Sequence, residues 1–369
     1  TLRHRGGELV DWMFTFTATV YNLVSFGEDA DGELYICSFD GNIYELQETG
    51  GGGGGGDFPG TLSETGLFDD VLALEPAPGL VEFDVNSPLW SRGASKRRWI
   101  ALPGSTRIGF DPTGSWDFPQ GTVLVKHFEL NTVSGNVRLE TRVLVNEDTA
   151  WHGYTYRWNA AQTDALLLAG AETGTYDVPD ASAPGGVRAQ TWRFPSRTDC
   201  LQCHTSAAGR ILGVRTRQLN GDFEYPDATD NQLRSWNHIG LFTTDIGDHA
   251  QLGAMPDPSD SAAPLAARAR SYLDANCSMC HRPGGPTGAA IDLRYATALG
   301  STGTVDVAPA LGSLGIANAR IVASGEKERS VLWERIRRSD AFRMPPLAST
   351  VVHAEAPDLI GMWIDTGPQ

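Results

Sequence analysis

The sequence predicts an α+β chain: an N-terminal β-hairpin or blade-like fragment, a β-sandwich-like middle domain and an α-helical C-terminal domain. Three observations predict it. Forty-two glycines and 21 prolines in 369 residues favour turn-rich sheet over a helix bundle. Apolar residues alternate with period 2 in several segments between residues 98 and 158. Beyond residue 260 the period becomes that of a helix. At about 150 residues per domain the length allows two or three units, and 41% apolar residues can fill an ordinary core.

Residues 1–48 read as strands, with alternation over 12–20 and turns at Asp31-Gly32 and Asp40-Gly41. Cys37 falls in one of these strands and reads as a small buried hydrophobe. Residues 49–57 hold seven consecutive glycines, a flexible linker by composition. Residues 58–197 are β-rich, with strands expected over 98–102, 122–130, 137–145 and 153–158. In the third, Val137, Leu139, Thr141, Val143 and Val145 share one face. Residues 198–259 form a first motif segment with a helix expected over 231–242. Residues 260–369 hold two further helices. One, over 264–276, puts Leu265, Ala269, Tyr272, Leu273 and Asn276 on one face; the other, over 357–365, turns Leu359, Ile360 and Trp363 inward.

Four of the five cysteines fall in two copies of one pattern, Cys200-Leu-Gln-Cys203-His204 and Cys277-Ser-Met-Cys280-His281. C-x-x-C-H is the attachment signature of c-type haem. At this composition about 0.0015 copies are expected by chance. The spacing has a chemical reason: two thiols one turn apart reach the two vinyl groups of one porphyrin, and the adjacent imidazole reaches the iron. A thioredoxin-type pair needs no histidine, and zinc shared between the pairs would need two segments 74 positions apart to meet in space. Two covalently attached haem c groups are therefore expected on Cys200, Cys203, Cys277 and Cys280, with His204 and His281 as proximal ligands. Such attachment implies a periplasmic or extracellular location. The start, Thr1-Leu-Arg-His, lacks a charged n-region and an apolar h-region, so a preceding segment is expected to have been removed.

A helix entering C-x-x-C-H, a loop Arg343-Met344-Pro345-Pro346 and a closing helix resemble class I cytochrome c over residues 260–366. The resemblance implies a helical cytochrome c domain with Met344 as the distal thioether, which raises the reduction potential. For the first haem the distal candidates are His238, on the edge of the expected helix, then Met255, then His127, His152 and His249. Segment 25–46 resembles the last propeller blade of soluble quinoprotein glucose/sorbosone dehydrogenases; one blade holds no quinone, so that activity does not carry over. Residues 80–366 resemble a family of bacterial di-haem proteins of unassigned role through Ser-Pro-Leu-Trp-Ser (87–91), Lys-Arg-Arg-Trp-Ile-Ala-Leu-Pro (96–103), residues 116–126 and Tyr-Thr-Tyr-Arg-Trp-Asn (154–159).

The function expected is electron transfer by a di-haem cytochrome, more an electron carrier than an enzyme. The alternatives are a peroxidase-like di-haem oxidoreductase and the electron-accepting module of a quinoprotein sugar dehydrogenase. A net charge of −16 speaks against nucleic-acid binding and suits a basic redox partner. No stretch has the length and apolarity of a membrane span. Open strand edges in residues 1–48 imply self-association, up to a cytochrome filament. Arg210, Arg215, Arg217, Arg282 and Arg343 lie near the motifs; each reads first as a solvated surface guanidinium and second as a partner for a haem propionate.

Overall fold

The structure, a computed structural model, describes residues 58–147, 150–347 and 350–368, and the backbone of five strands between residues 2 and 45. The chain divides into two units, Thr1–Phe58 and Pro59–Gln369. In the first, β1 (Leu2–Arg5) and β2 (Glu8–Trp12) pair as an antiparallel hairpin. Strands β3 (Leu23–Glu28), β4 (Leu34–Ser38) and β5 (Ile43–Glu45) form a three-stranded antiparallel sheet, with Cys37 in the middle strand opposite Ser25 and Ile43. The expected alternation over 13–20, both expected turns and the glycine run 50–56 lie outside the described residues.

In the second unit a short hairpin, β6 (Phe68–Asp70) and β7 (Glu75–Pro76), precedes the main sheet. That sheet is a six-stranded antiparallel meander of β8 (Val81–Phe83), β9 (Ser95–Ala101), β10 (Val123–Thr132), β11 (Gly135–Glu147), β12 (Ala150–Trp158) and β13 (Ala165–Leu167), with each strand beside its sequence neighbour. The β10–β11 connection is two residues long, and Gly135, at φ 106°, takes the left-handed conformation that other residues avoid. One face of the sheet carries Trp99, Val125, Val143 and Tyr156, all buried. Residues 59–80 cover it: the Phe68 and Trp99 rings meet edge-on at 5.2 Å, and the Tyr156 hydroxyl donates to the Pro59 carbonyl at 2.8 Å.

The opposite face carries the first motif-bearing segment. Over one end, the hairpin of β14 (Glu172–Pro179) and β15 (Val187–Phe194) packs Val178, Trp192 and Phe194 on Phe128 and Leu130. Then come α1 (Arg197–Leu201), α2 (Thr216–Leu219), the ribbon β16 (Asp222–Glu224) and β17 (Thr229–Asn231), and α3 (Gln232–His238). Leu219, Leu233, Trp236 and Phe242 from this stretch close over Phe83, Ile100, Ile108 and Trp116. Last, α4 (Leu265–Cys277), α5 (Val331–Ile336) and α6 (Glu355–Asp365) share a core of Tyr272, Leu273, Leu332, Ile336, Leu359, Ile360, Trp363 and Ile364.

Two parts of the expected fold class are corrected. The molecule is mostly sheet, 26% strand against 20% helix, and residues 260–369 do not build a helical cytochrome c domain. Between α4 and α5 the chain from 278 to 330 holds eight glycines and three prolines, which deny it helix. It runs instead as turns, short 3-10 segments and isolated bridges. The middle region is a single meander whose second layer is the β14–β15 hairpin plus residues 197–252, and not a two-sheet sandwich. Sequential strands joined by short turns pair with their neighbours, so no crossing connection creates a second large sheet.

Candidate functional site

Both pentapeptides adopt the same turn. In the first, Ser196 caps α1 with a reciprocal pair of bonds: its hydroxyl accepts from the Asp199 N–H at 3.2 Å, and the Asp199 carboxylate accepts from the Ser196 N–H at 3.0 Å. The helix delivers Cys200, and the His204 N–H donates to the Cys200 carbonyl at 3.0 Å. In the second, α4 ends on Cys277 and the His281 N–H donates to the Cys277 carbonyl at 2.9 Å. One helical turn thus separates first cysteine from histidine in each case, and no disulfide joins either pair.

The sheet makes room for the first motif at Gly153 on β12. A Cβ there would sit 2.9 Å from Cys200 Sγ and 3.1 Å from its Cβ. Gly153→Val pushes α1 off the sheet and is expected to lower stability by about 1–3 kcal/mol in denaturant unfolding; an unchanged midpoint would mean that Cys200 does not seat there. In the second motif Gly285 crosses the Cys280 carbonyl so closely that no side chain fits.

Both motif histidines are pushed toward the neutral form. His204 Nδ1 lies 2.6 Å from the Arg210 carbonyl, which only accepts, so Nδ1 carries the proton and Nε2 keeps its lone pair. Burial pushes the His204 imidazole down to about 4, and Lys126 and Arg142 act in the same direction. Burial also lowers His281, with the Arg335 guanidinium adding to it; Thr287 Oγ1 lies 3.5 Å from His281 Nδ1. All four thiols are pushed up, chiefly by burial, Cys277 to about 12. Buried, protonated thiols are poor thiolate nucleophiles, which argues against a disulfide-exchange pair.

The two motifs meet in space. Arg282 Nη1 donates to the Ala207 carbonyl at 3.0 Å, and a Cβ on Gly284 would touch that of Ala207 at 3.7 Å. Cys280 is close enough to Cys203 to add to the upward push that burial gives the Cys203 thiol. Even so, among the described residues no three His, Cys, Asp or Glu side chains converge as metal donors.

The other predicted residues are scattered. Met344 is half-buried beside a cavity of about 10 Å³, room for one water, lined also by Trp90, Tyr272, Ile336 and His353. Its N–H donates to the carbonyl of Arg335, the residue whose guanidinium faces His281. His238 is exposed at the end of α3, whereas Met255 is 1% exposed with its sulfur 4.0 Å from Arg215 Nη2. His127 lies on the sheet face opposite Cys200, held by Thr141 Oγ1 at 2.8 Å and Glu129 at 3.2 Å. His152 points to that same face, and His249 stands beside Asp248 in a 3-10 turn.

Of the five arginines, Arg210 returns to the His204 carbonyl, Arg282 holds Ser278 and Ala207, and Arg343 holds the Asp340 and Pro346 carbonyls. Arg215 pairs with Asp274; with Arg217 and Arg294 it lines a cavity of about 270 Å³. The Ser-Pro-Leu-Trp-Ser segment braces α4: the Ser87 hydroxyl donates to the Ser271 carbonyl at 3.1 Å and the Trp90 N–H to Asn276 Oδ1 at 2.7 Å.

Sequence reasoning missed the basic residues beneath the first motif. Lys126 and Arg142 share electrostatic surroundings with Cys203 and His204, and Arg142 also with Cys200. The signal was present: Lys126 stands between Leu124 and Phe128 on one face of a strand, where only apolar residues would be expected.

These features fit the c-type group that the motifs imply: thiol pairs on one turn, a His204 imidazole whose Nδ1 proton is engaged so that Nε2 keeps its lone pair, and Arg142 Nε, buried without a partner beside the first pair. No helix among the described residues is long and apolar enough to cross a membrane. Comparison of the chain with protein-family profiles, with curated proteins and with solved structures finds no match in any of the three.

Proposed function

We propose that this chain is a di-haem c-type cytochrome that transfers electrons outside the cytoplasm. One haem is held by Cys200, Cys203 and His204, the other by Cys277, Cys280 and His281. The observation that carries the reading is the pair of like motif turns whose following residues, Ala207 and Arg282, are hydrogen-bonded to each other. When bound, the group supplies a one-electron Fe(III)/Fe(II) couple.

The chain's own residues do the rest. Cys200, Cys203, Cys277 and Cys280 would hold the group covalently, each S–H adding across a vinyl double bond with no leaving group, in a link that would survive denaturation. The bond from His204 Nδ1 to the Arg210 carbonyl fixes the ring and strengthens Nε2 as a donor. Met344 is the distal residue proposed for the second site. At the first, burial favours Met255 over exposed His238. Contact between the motif segments supports electron passage from one site to the other within the chain. Propagation between chains rests on the edge strands β3 and β5 of the N-terminal sheet, and electron microscopy of purified protein distinguishes filaments from dispersed particles.

Intact-mass measurement of the denatured, full-length protein, produced by cells that mature c-type cytochromes, is expected to show two whole haems added to the polypeptide. A bare, colourless polypeptide would overturn the reading. A wholly low-spin ferric spectrum without peroxide turnover is expected; a high-spin, peroxide-consuming iron would favour the peroxidase-like alternative.

A further inference from the structure

Arg98, Lys126 and Arg142 stand directly opposite one another on three adjacent strands: Lys126 is in register with Arg98 on β9 and with Arg142 on β11. Like charges in register repel, and such an arrangement is destabilising unless something compensates it. The side chains confirm the shared face, since Lys126 Nζ and Arg142 Cζ lie 5.3 and 4.6 Å from the centre of the same Phe128 ring. Lys96, two residues from Arg98, joins them; burial and the neighbouring Arg98 charge bring its ammonium down to about 8. Arg92, 8% exposed, lies over Trp192 at 5.5 Å and faces Arg142.

Against these five basic side chains stand two carboxylates. Asp84 pairs with Arg98, and Glu140 accepts from Arg142 at 2.5 Å and from Trp192 Nε1 at 2.9 Å. Among the described residues Lys126 has no carboxylate partner, and Arg92 Nε and Arg142 Nε are buried without any. In a chain of net charge −16 this is a local excess of positive charge, and it lies on the sheet face that receives Cys200 at Gly153.

We propose that the Arg98–Lys126–Arg142 ladder, with Arg92 and Lys96, is the counter-charge for the propionate carboxylates of the haem attached at Cys200 and Cys203. The inference rests on the di-haem reading and adds a role for residues outside both motifs. Carboxylates would complete the unpartnered N–H groups with charge-assisted bonds and relieve the repulsion along the ladder. The positive field also disfavours the ferric state of the nearby iron, so the ladder raises that site's potential.

The test is a spectroelectrochemical titration of full-length protein carrying both haems. Lys126→Met and Arg92→Met remove a cation without leaving a carboxylate unpaired. Lys126→Arg keeps the charge, and Arg97→Met removes one from the other face of β9. We expect Lys126→Met and Arg92→Met each to lower one of the two midpoint potentials, by about tenfold in the oxidised-to-reduced ratio, or 59 mV for one electron. Lys126→Arg and Arg97→Met should leave both near the wild-type values. Unchanged potentials, or equal shifts of both haems, would overturn the ladder's role while leaving the di-haem reading intact. So would a wild-type potential that moves on adding inorganic phosphate, which would mark the ladder as open to soluble anions. Absence of haem by intact mass would be a failure of the underlying reading, recorded separately by that measurement.

Discussion

Replacing Cys277 and Cys280 with alanine is expected to leave one covalent haem in place of two and to abolish the couplet of opposite-signed bands in the Soret circular dichroism. The first part follows from the chemistry, because without thiols no thioether forms at that turn. The second follows from packing. Arg282 reaches the Ala207 carbonyl at 3.0 Å and Gly284 lies against Ala207, so the residues just after one C-x-x-C-H touch those just after the other. Two strongly absorbing groups held so close couple and split their shared band; one group alone cannot. Cys200→Ala with Cys203→Ala must remove the couplet equally. A couplet surviving in either single-haem variant, or a wild-type spectrum equal to the sum of the two, would place the groups apart and end the idea of one di-haem unit.

Arg215→Leu is expected to destabilise the fold by about 3–5 kcal/mol, the cost of stranding a buried charge. Its partner Asp274 has a side chain only 2% exposed, on the same helix as Cys277. One carboxylate oxygen takes the Arg215 guanidinium, and the other accepts the Tyr295 N–H at 2.7 Å. Without Arg215 the carboxylate keeps a single donor in a nearly dry site. Chemical denaturation checks the number, and Arg215→Leu with Asp274→Asn should recover most of the loss, since the orphaned charge is then gone. A single-variant loss below about 1 kcal/mol would show that the pair is solvated and weak.

Much of the architecture was legible in the chain. Alternation located β9, β10, β11 and β12 because strands on a buried sheet show their two faces at every second residue. Helical spacing located α4 and α6, and Leu359, Ile360 and Trp363 are buried as expected. The expected helix over 231–242 shortened to α3: Ile239 is 57% exposed, and Gly240, at φ 75°, stops the helix before Phe242. The helical character of residues 260–369 was overestimated, because two strong periodic segments were extended across a glycine- and proline-rich stretch that has no period.

The site divides along the same line. Both C-x-x-C-H motifs are local, each a single turn of residues one to four positions apart, so residue order alone specified them. That the residues just after the two turns touch, although 74 positions separate Cys203 from Cys277, was not readable, because it depends on how both segments settle against the rest of the fold. His238 shows the same limit: helical spacing put it on the edge of an apolar face, but the turn of the finished helix left it in solvent. The cation ladder is the clearest case. Arg98, Lys126 and Arg142 look unrelated along the chain and become neighbours only through strand register, an alignment fixed by long-range pairing and not by any short stretch of residues.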